Sequence, residues 1–287
     1  MKNTLLPSLI LLSVGALAAN AQISTTDMTG MTGMDLANAL IDDPSITIDS
    51  ATYTGDTGAS GTFANGTASV GFGSGVVLTT GSVSSISGTN TSDSISTNLP
   101  VPGDTDLNGL IPGTTNDASI LEIIFTPVSD TISFQFMFAS EEYNEYVNSA
   151  YNDVFGFFLN GVNIALIPGT STAIAINNIN NVLNSAHYLD NDPSDTAASH
   201  PLEYDGLVGY TIPLYATGAV TPGVQNTIKL AIADAGDSSL DSAVFLKGGS
   251  FTNAPPPTNN AVPEPSTYGI LGALALAGLI VGRRFRR

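Results

Sequence analysis

Residues 131–167 constrain this chain more than any other stretch. They open on strict alternation, with Ile132, Phe134, Phe136 and Phe138 on one side and Thr131, Ser133, Gln135 and Met137 on the other. A period of two is the mark of an extended strand with one buried face. At Ala139 the apolar pattern stops, and an acidic, tyrosine-rich loop follows with Glu141, Glu142, Tyr143, Glu145, Tyr146, Tyr151 and Asp153. A second apolar run over 154–159 meets Asn160-Gly161, the pair favoured in two-residue hairpins because both central positions take positive φ. A core hairpin is thus preceded by an acidic loop at the end of a core strand. Ligand or ion chemistry is expected at that loop.

Residues 76–80, 120–125, 210–215, 227–233 and 243–246 read as further strands, and 46–48 as a short one, between turns rich in Gly, Pro and Asn. In 227–233, Ile228, Leu230 and Ile232 share a face opposite Lys229 and Ala231. Residues 34–40 carry a short helical pattern that Asp42-Asp43-Pro44 terminates. The polar stretch 82–97 has little to bury beyond Ile86 and Ile95 and reads as a surface loop, and 177–200 as a long excursion from the sheet. Several strands with Gly-rich turns and almost no helical periodicity specify an all-β domain of β-sandwich or jelly-roll type. A closed barrel fits the same pattern.

The two ends of the chain differ from this body. Residues 1–21 combine Lys2, an apolar run over 5–18 and Ala19-Asn20-Ala21 before Gln22, the layout of a secretory signal peptide. Pro255-Pro256-Pro257 lies in a stiff polar linker, 254–261. Residues 262–287 hold Val262-Pro263-Glu264-Pro265, then a 15-residue apolar run over 268–282, then four arginines. That run is a short transmembrane helix, below the ~20 residues that span a bilayer comfortably. Its arginines would hold the tail on the cytoplasmic side. The β domain is accordingly expected over 22–253.

Five of the seven Lys and Arg lie in those terminal segments, so a processed chain also lacking Glu264 keeps two lysines against 24 acids, a net of −22. Such a surface repels nucleic-acid phosphates, which removes nucleic acid from the list of partners. It also supplies many oxygen ligands for hard cations. The absence of cysteine rules out disulfides and thiolate metal sites.

A second acidic loop, 234–242, places Asp234, Asp237 and Asp241 between two core strands. Together with Glu141, Glu142 and Asp153 they form a candidate Ca²⁺ set, since neighbouring strands would bring together four to six hard oxygens where Ca²⁺ takes six to eight. Without an ion, such carboxylates repel and raise one another's pKa. The alternative is that they are solvated, or cap turns through Asx-type bonds. Asp104-Thr105-Asp106-Leu107-Asn108-Gly109 fits the first half of an EF-hand loop, but Thr115 stands where the bidentate glutamate belongs. Tyr143, Tyr146 and Tyr151 are candidates for a sugar-stacking platform. Lys229 and Lys247 are candidates for an intramolecular isopeptide bond, with no partner identifiable.

Neither G-x-S-x-G nor H-E-x-x-H occurs, and His187 and His200 lie in the polar excursion without a nucleophile beside them. The competing reading is a carbohydrate-active enzyme of glycoside hydrolase type, with Glu141, Glu142 or Asp153 as a carboxylate pair. Adjacent residues at one strand end point to opposite faces, which argues against Glu141 and Glu142 flanking one bond. The expectation is a non-enzymatic protein.

The Val-Pro-Glu-Pro motif, apolar helix and arginine cluster resemble the PEP-CTERM sorting signal. The resemblance implies a Gram-negative exporter and transient anchoring in its inner membrane. It also implies an exosortase-type transpeptidase that cuts near Pro-Glu-Pro and passes the protein to the cell surface or an exopolysaccharide matrix. The stretches GDTDLNGLIPGTTNDASILE (103–122), FASEEYNEYVNSAYNDVFGFFLNG (138–161) and LAIADAGDSSLDSAVFLKGGSF (230–251) resemble the choice-of-anchor L domain. That family implies surface display and defines no activity. The combined expectation is an exported, exosortase-sorted protein of structural or adhesive role, with a calcium-stabilised sandwich and exopolysaccharide as its neighbour.

Overall fold

Thirteen strands form among the described residues, which are 22–195 and 200–257 of the computed structural model. The expected signal peptide, the sorting segment and half of the linker lie outside them. In chain order the elements begin with β1 (Ser24–Asp27), helix α1 (Gly33–Leu40), β2 (Ile46–Thr54), β3 (Ser60–Ala64), helix α2 (Thr67–Val70) and β4 (Gly75–Thr79). After helix α3 (Thr105–Asn108) come β5 (Thr115–Pro127), β6 (Thr131–Ser140), β7 (Val154–Leu159) and β8 (Val162–Asn163). The series closes with β9 (Tyr188–Asp190), β10 (Gly206–Val208), β11 (Leu214–Ala219), β12 (Asn226–Ala235) and β13 (Ser242–Lys247).

Two antiparallel sheets result. One runs β1-β3-β4-β13-β6-β10-β9, with β11 paired to β6 as well; the other runs β2-β5-β12-β7-β8. They pack face to face as a sandwich, and the alternation of β6 supplies the seam. Phe134, Phe136 and Phe138 meet Phe155 and Phe157 of β7 at ring-centroid distances of 5.1 to 5.4 Å. Leu121, Ile123, Leu230 and Ile232 extend the same core from β5 and β12. Helix α1 starts at a Thr32–Asp35 capping box and buries Leu36, Ala37 and Leu40.

Several expectations need correction. β6 is buried on both faces, not one: Met137 joins Phe63, Leu207 and Phe245 in a second core. Its cover includes Val83, Ile86, Leu202 and Tyr204, isolated apolar residues that fold back from segments without strand periodicity. The strand expected at 210–215 lies at Leu214–Ala219, and β10 forms ahead of it. β1 and β3 went unseen because they are short and rich in Ser and Thr.

Strand direction sorts the loops. β6 and β12 run toward one end of the sandwich, where β7 and β13 begin, so the two acidic loops share that end. The turns at 127–131, 160–161 and 220–226 lie at the other end. The chain leaves there too, with Thr252 bridged to Ser133 and Asn253 Oδ1 accepting from the N–H groups of Val128 and Ser129.

Candidate cation and ligand site at the acidic end

Ladder register builds the site. Ser140 of β6 opposes Ser242 of β13, and Ala233 of β12 opposes Val154 of β7, which brings the loop before β7 beside the loop before β13. Asp153 ties the sheets together. Its Oδ1 accepts from Ala235 N–H at 2.9 Å and its Oδ2 from the Ser242 hydroxyl at 2.7 Å. Asp234 is equally buried, yet its carboxylate makes no close hydrogen bond; the Thr80 hydroxyl and the Asp153 carboxyl are its nearest, weaker partners. The Asp241 carboxylate lies on Gly81, so close that a Cβ there would come within 1.7 Å of Oδ2. Asp241 Oδ1 accepts from Thr97 N–H at 2.8 Å, while Oδ2 has no partner.

The two adjacent glutamates, just past the end of β6, diverge. Glu142 feels the charges of Asp153, Asp237 and Glu145, whereas Glu141 feels those of Asp205, Glu203 and Asp241. The six predicted residues therefore fall into groups. Glu142, Asp153, Asp234 and Asp241 form a continuous acidic seam; Glu141 belongs to a second group with Asp205; and Asp237 lies exposed on the rim. Among the described residues, no three His, Asp or Glu side chains are gathered as a metal-binding group.

The segment expected to be a surface loop does more than cover. Between residues 90 and 102 it runs extended across the carboxylates, and four of its N–H groups donate to them. Thr91 donates to Glu203 Oε1 at 3.2 Å and Ile95 to Glu141 Oε2 at 3.1 Å. Thr97 donates to Asp241 Oδ1, and Leu99 to Asp117 Oδ2 at 2.9 Å. The backbone groups that a ladder would normally pair are satisfied here by side chains. Asp117 is itself held in position by a bulge in β5, with φ +48° where that strand slips against β12.

Burial dominates the electrostatics. It pushes Glu141 and Glu142 up to about 10, helped by the charges of Asp205 and Asp153 respectively. It raises Asp205 to about 8 and Asp153 to about 7, the latter restrained by its two donors. Asp234 is driven well above the carboxylate range by burial and by Asp153, and Asp241 is raised by burial. No lysine relieves these groups. The two lysines of the described residues are engaged elsewhere, Lys247 with Gln135 Oε1 at 3.2 Å and Lys229 with Asp104 and Asp106 at 2.5 and 2.7 Å.

The Lys229 contact also settles the EF-hand-like segment. Asp104 caps α3 by accepting from the N–H groups of Asp106 and Leu107, and Asn108 accepts from Thr115. Those oxygens are committed internally, so the segment is a capped helix and no cation loop. The two carboxylates outweigh burial and raise the Lys229 pKa; a protonated amine lacks the lone pair an isopeptide bond requires.

Of the three tyrosines, Tyr143 is core. It is fully buried and its hydroxyl donates to Ile179 C=O at 2.7 Å. Tyr146 and Tyr151 are exposed by 38% and 36% and meet edge to face, with centroids 5.4 Å apart. They line a 250 Å³ cleft together with Glu142, Asp237, Ser239 and Leu240. Gly236, at φ +92°, lets the 236–241 loop close on this wall, where a Cβ would lie 3.0 Å from Ala150 C=O and 3.3 Å from the Tyr151 ring.

Asp117, Glu203 and Asp205 were missed as members of the acidic end. Asp205 immediately precedes a strand, as Asp153 does, but that strand is only three residues long and gives no periodicity. Asp117 sits at a bulge, which alternation cannot reveal.

The sequence pattern of the choice-of-anchor L domain matches residues 23–252, and that of the PEP-CTERM protein-sorting motif matches residues 261–287. No curated protein and no solved structure matches the chain. Among the described residues no helix is long and apolar enough to cross a membrane.

Proposed function

The chain belongs to the choice-of-anchor L family and carries a PEP-CTERM sorting motif, and from that premise we propose a calcium-stabilised surface protein of structural or adhesive role. The sorting motif implies export, processing by an exosortase and display at the bacterial surface. The observation that supports the finer reading is the set of buried carboxylate oxygens without a close hydrogen bond: Glu141 Oε1, Glu142 Oε2, both oxygens of Asp234, and Asp241 Oδ2.

Burying an ionised carboxylate without a counter-charge costs several kcal/mol, and the group must then either keep its proton or gain a cation. Lysine is not available at this end, so a cation would come from outside. Ca²⁺ fits the donor chemistry, because it accepts hard oxygens at flexible geometry and tolerates water in its shell. Asp153 and Asp234 are the central candidates, flanked by Glu142 and Asp241, with Asp237 at the rim and Glu141 serving the neighbouring group. Binding there would tie β7 and β12 of one sheet to β13 of the other and stiffen the outward-facing loops. Exopolysaccharide is the proposed neighbour, and the domain limits proposed for the mature protein are 22–253, followed by the linker 254–261.

The test is calorimetric titration of the exported protein with Ca²⁺, paired with melting curves in EDTA and in excess Ca²⁺. At one hundred times Kd the ion should add ~2.7 kcal/mol and raise the melting temperature by about 5–10 °C. No heat of binding and no shift would remove the calcium reading. The glycoside hydrolase reading is favoured by one observation, a glutamate of raised pKa, Glu142, beside an aromatic cleft. Release of reducing ends from a polysaccharide, lost in Glu142→Gln, would decide for it.

A further inference from the structure

Resting on the reading of a surface protein that meets polysaccharide, we propose that the cleft formed by Tyr146, Tyr151, Glu142 and Asp237 binds an amino-sugar unit through its free ammonium group. The cleft joins two features that favour a cationic ring. Its tyrosine pair is exposed and fixed edge to face, and ring faces carry the negative part of the aromatic quadrupole. Behind the pair, Glu142 is 1% exposed, and its Oε2 is buried without a hydrogen-bond partner. On the rim Asp237 is exposed, and its Oδ1 accepts only the local Ser239 N–H at 3.1 Å. No lysine lines the cleft. An ammonium entering it would favour the ionised form of Glu142, release its proton to solvent and complete a charge-assisted bond that the chain leaves unmade.

Charge and size narrow the class further. With two lysines against 24 acids after processing, the surface repels anionic polysaccharides. A neutral sugar can donate a hydroxyl to Glu142, but only an ammonium also brings the opposite charge, which roughly doubles the strength of the bond. At 250 Å³ the cleft is smaller than the ~300–1,000 Å³ of pockets that enclose drug-sized ligands, and it suits one sugar ring of a longer chain.

The test titrates the exported protein in EDTA, at physiological salt, with the tetramer of glucosamine, its fully N-acetylated counterpart and tetralysine. The glucosamine tetramer is expected to bind about ten-fold more tightly than either comparator, the scale of a desolvated cation–π contact together with its ion pair. Tyr146→Ala and Tyr151→Ala preserve net charge and remove only half-exposed rings. Each should lower that affinity about ten-fold at unchanged melting temperature. Equal affinity for the acetylated tetramer would show that the ammonium is not read. Unchanged affinity in both tyrosine variants would trace binding to bulk charge, and equal affinity for tetralysine would move the ligand to protein side chains. Any of these overturns the proposal. The tyrosine variants are expected to keep the Ca²⁺ response, so loss of sugar binding and loss of ion binding can be told apart.

Discussion

Lys229 and Asp234 lie on one strand, β12, and show opposite solutions to the same problem. At Lys229 two carboxylates, Asp104 and Asp106, share an ammonium from within the chain, and Asp104 also accepts two backbone N–H groups. At Asp234, five residues further along, several carboxylates lie at the sandwich end with only hydroxyl and amide donors among them. The first site is electrically complete as folded. The second is completed by protons below the raised pKa values of its acids or, under the proposal above, by a cation. Five of the seven cations of the chain lie in its two terminal segments, which leaves two lysines in the body between them.

Breaking the complete site should have the largest effect. Lys229→Ala leaves Asp104 buried without its cation, and unfolding in urea should show a loss of about 2–3 kcal/mol, below the ~3–5 kcal/mol of a fully buried pair because the lysine is partly exposed. Ca²⁺ should not rescue it. Gly81→Ala drives a methyl group into the Asp241 carboxylate and should cost about 1–3 kcal/mol, largely recovered by adding Asp241→Ala. Asp234→Asn should move the other way. In EDTA at neutral pH it removes an unpaired acid and is expected to gain about 1 kcal/mol, since the amide still needs partners, while abolishing the Ca²⁺ response. A loss of stability in EDTA for Asp234→Asn would mean that the native carboxylate is already paired.

Much of this was legible in the sequence, and the parts that were not share a cause. Alternation at Ile132–Phe138 gives β6, although both of its faces are buried, and the Asn160-Gly161 pair gives the turn between β7 and β8 at the edge of the other sheet. The acidic loops were legible as loops because strands on either side bracket them. What escaped depends on contacts between distant segments. The strap over 90–102 is held by carboxylates from four other segments, and its polar residues carry no trace of those partners. Tyr143 and Tyr146 look alike in sequence, yet the first packs against Tyr188 and the second faces solvent.

The most direct measurement is stability against pH, by urea unfolding of the exported protein between pH 7 and 9, in EDTA and in excess Ca²⁺. Asp153 and Asp205 have folded pKa values near 7 and 8, and Glu141 and Glu142 near 10, all above their unfolded values. A raised carboxyl pKa means the native state holds more protons, so its stabilising share is complete below the unfolded pKa and is lost as pH rises through the folded one. His200 is lowered by burial and acts in the opposite sense, but only around and below its ordinary value of 6.5; Asp35 and Asp43, lowered by hydrogen bonds, act only at more acidic pH. In EDTA, stability should therefore fall across the window by ~1.4 kcal/mol per pH unit for each proton retained. In Ca²⁺ the ionised carboxylates have their counter-charge, and the fall should be largely abolished. A flat curve in EDTA would contradict a buried, uncompensated acidic end.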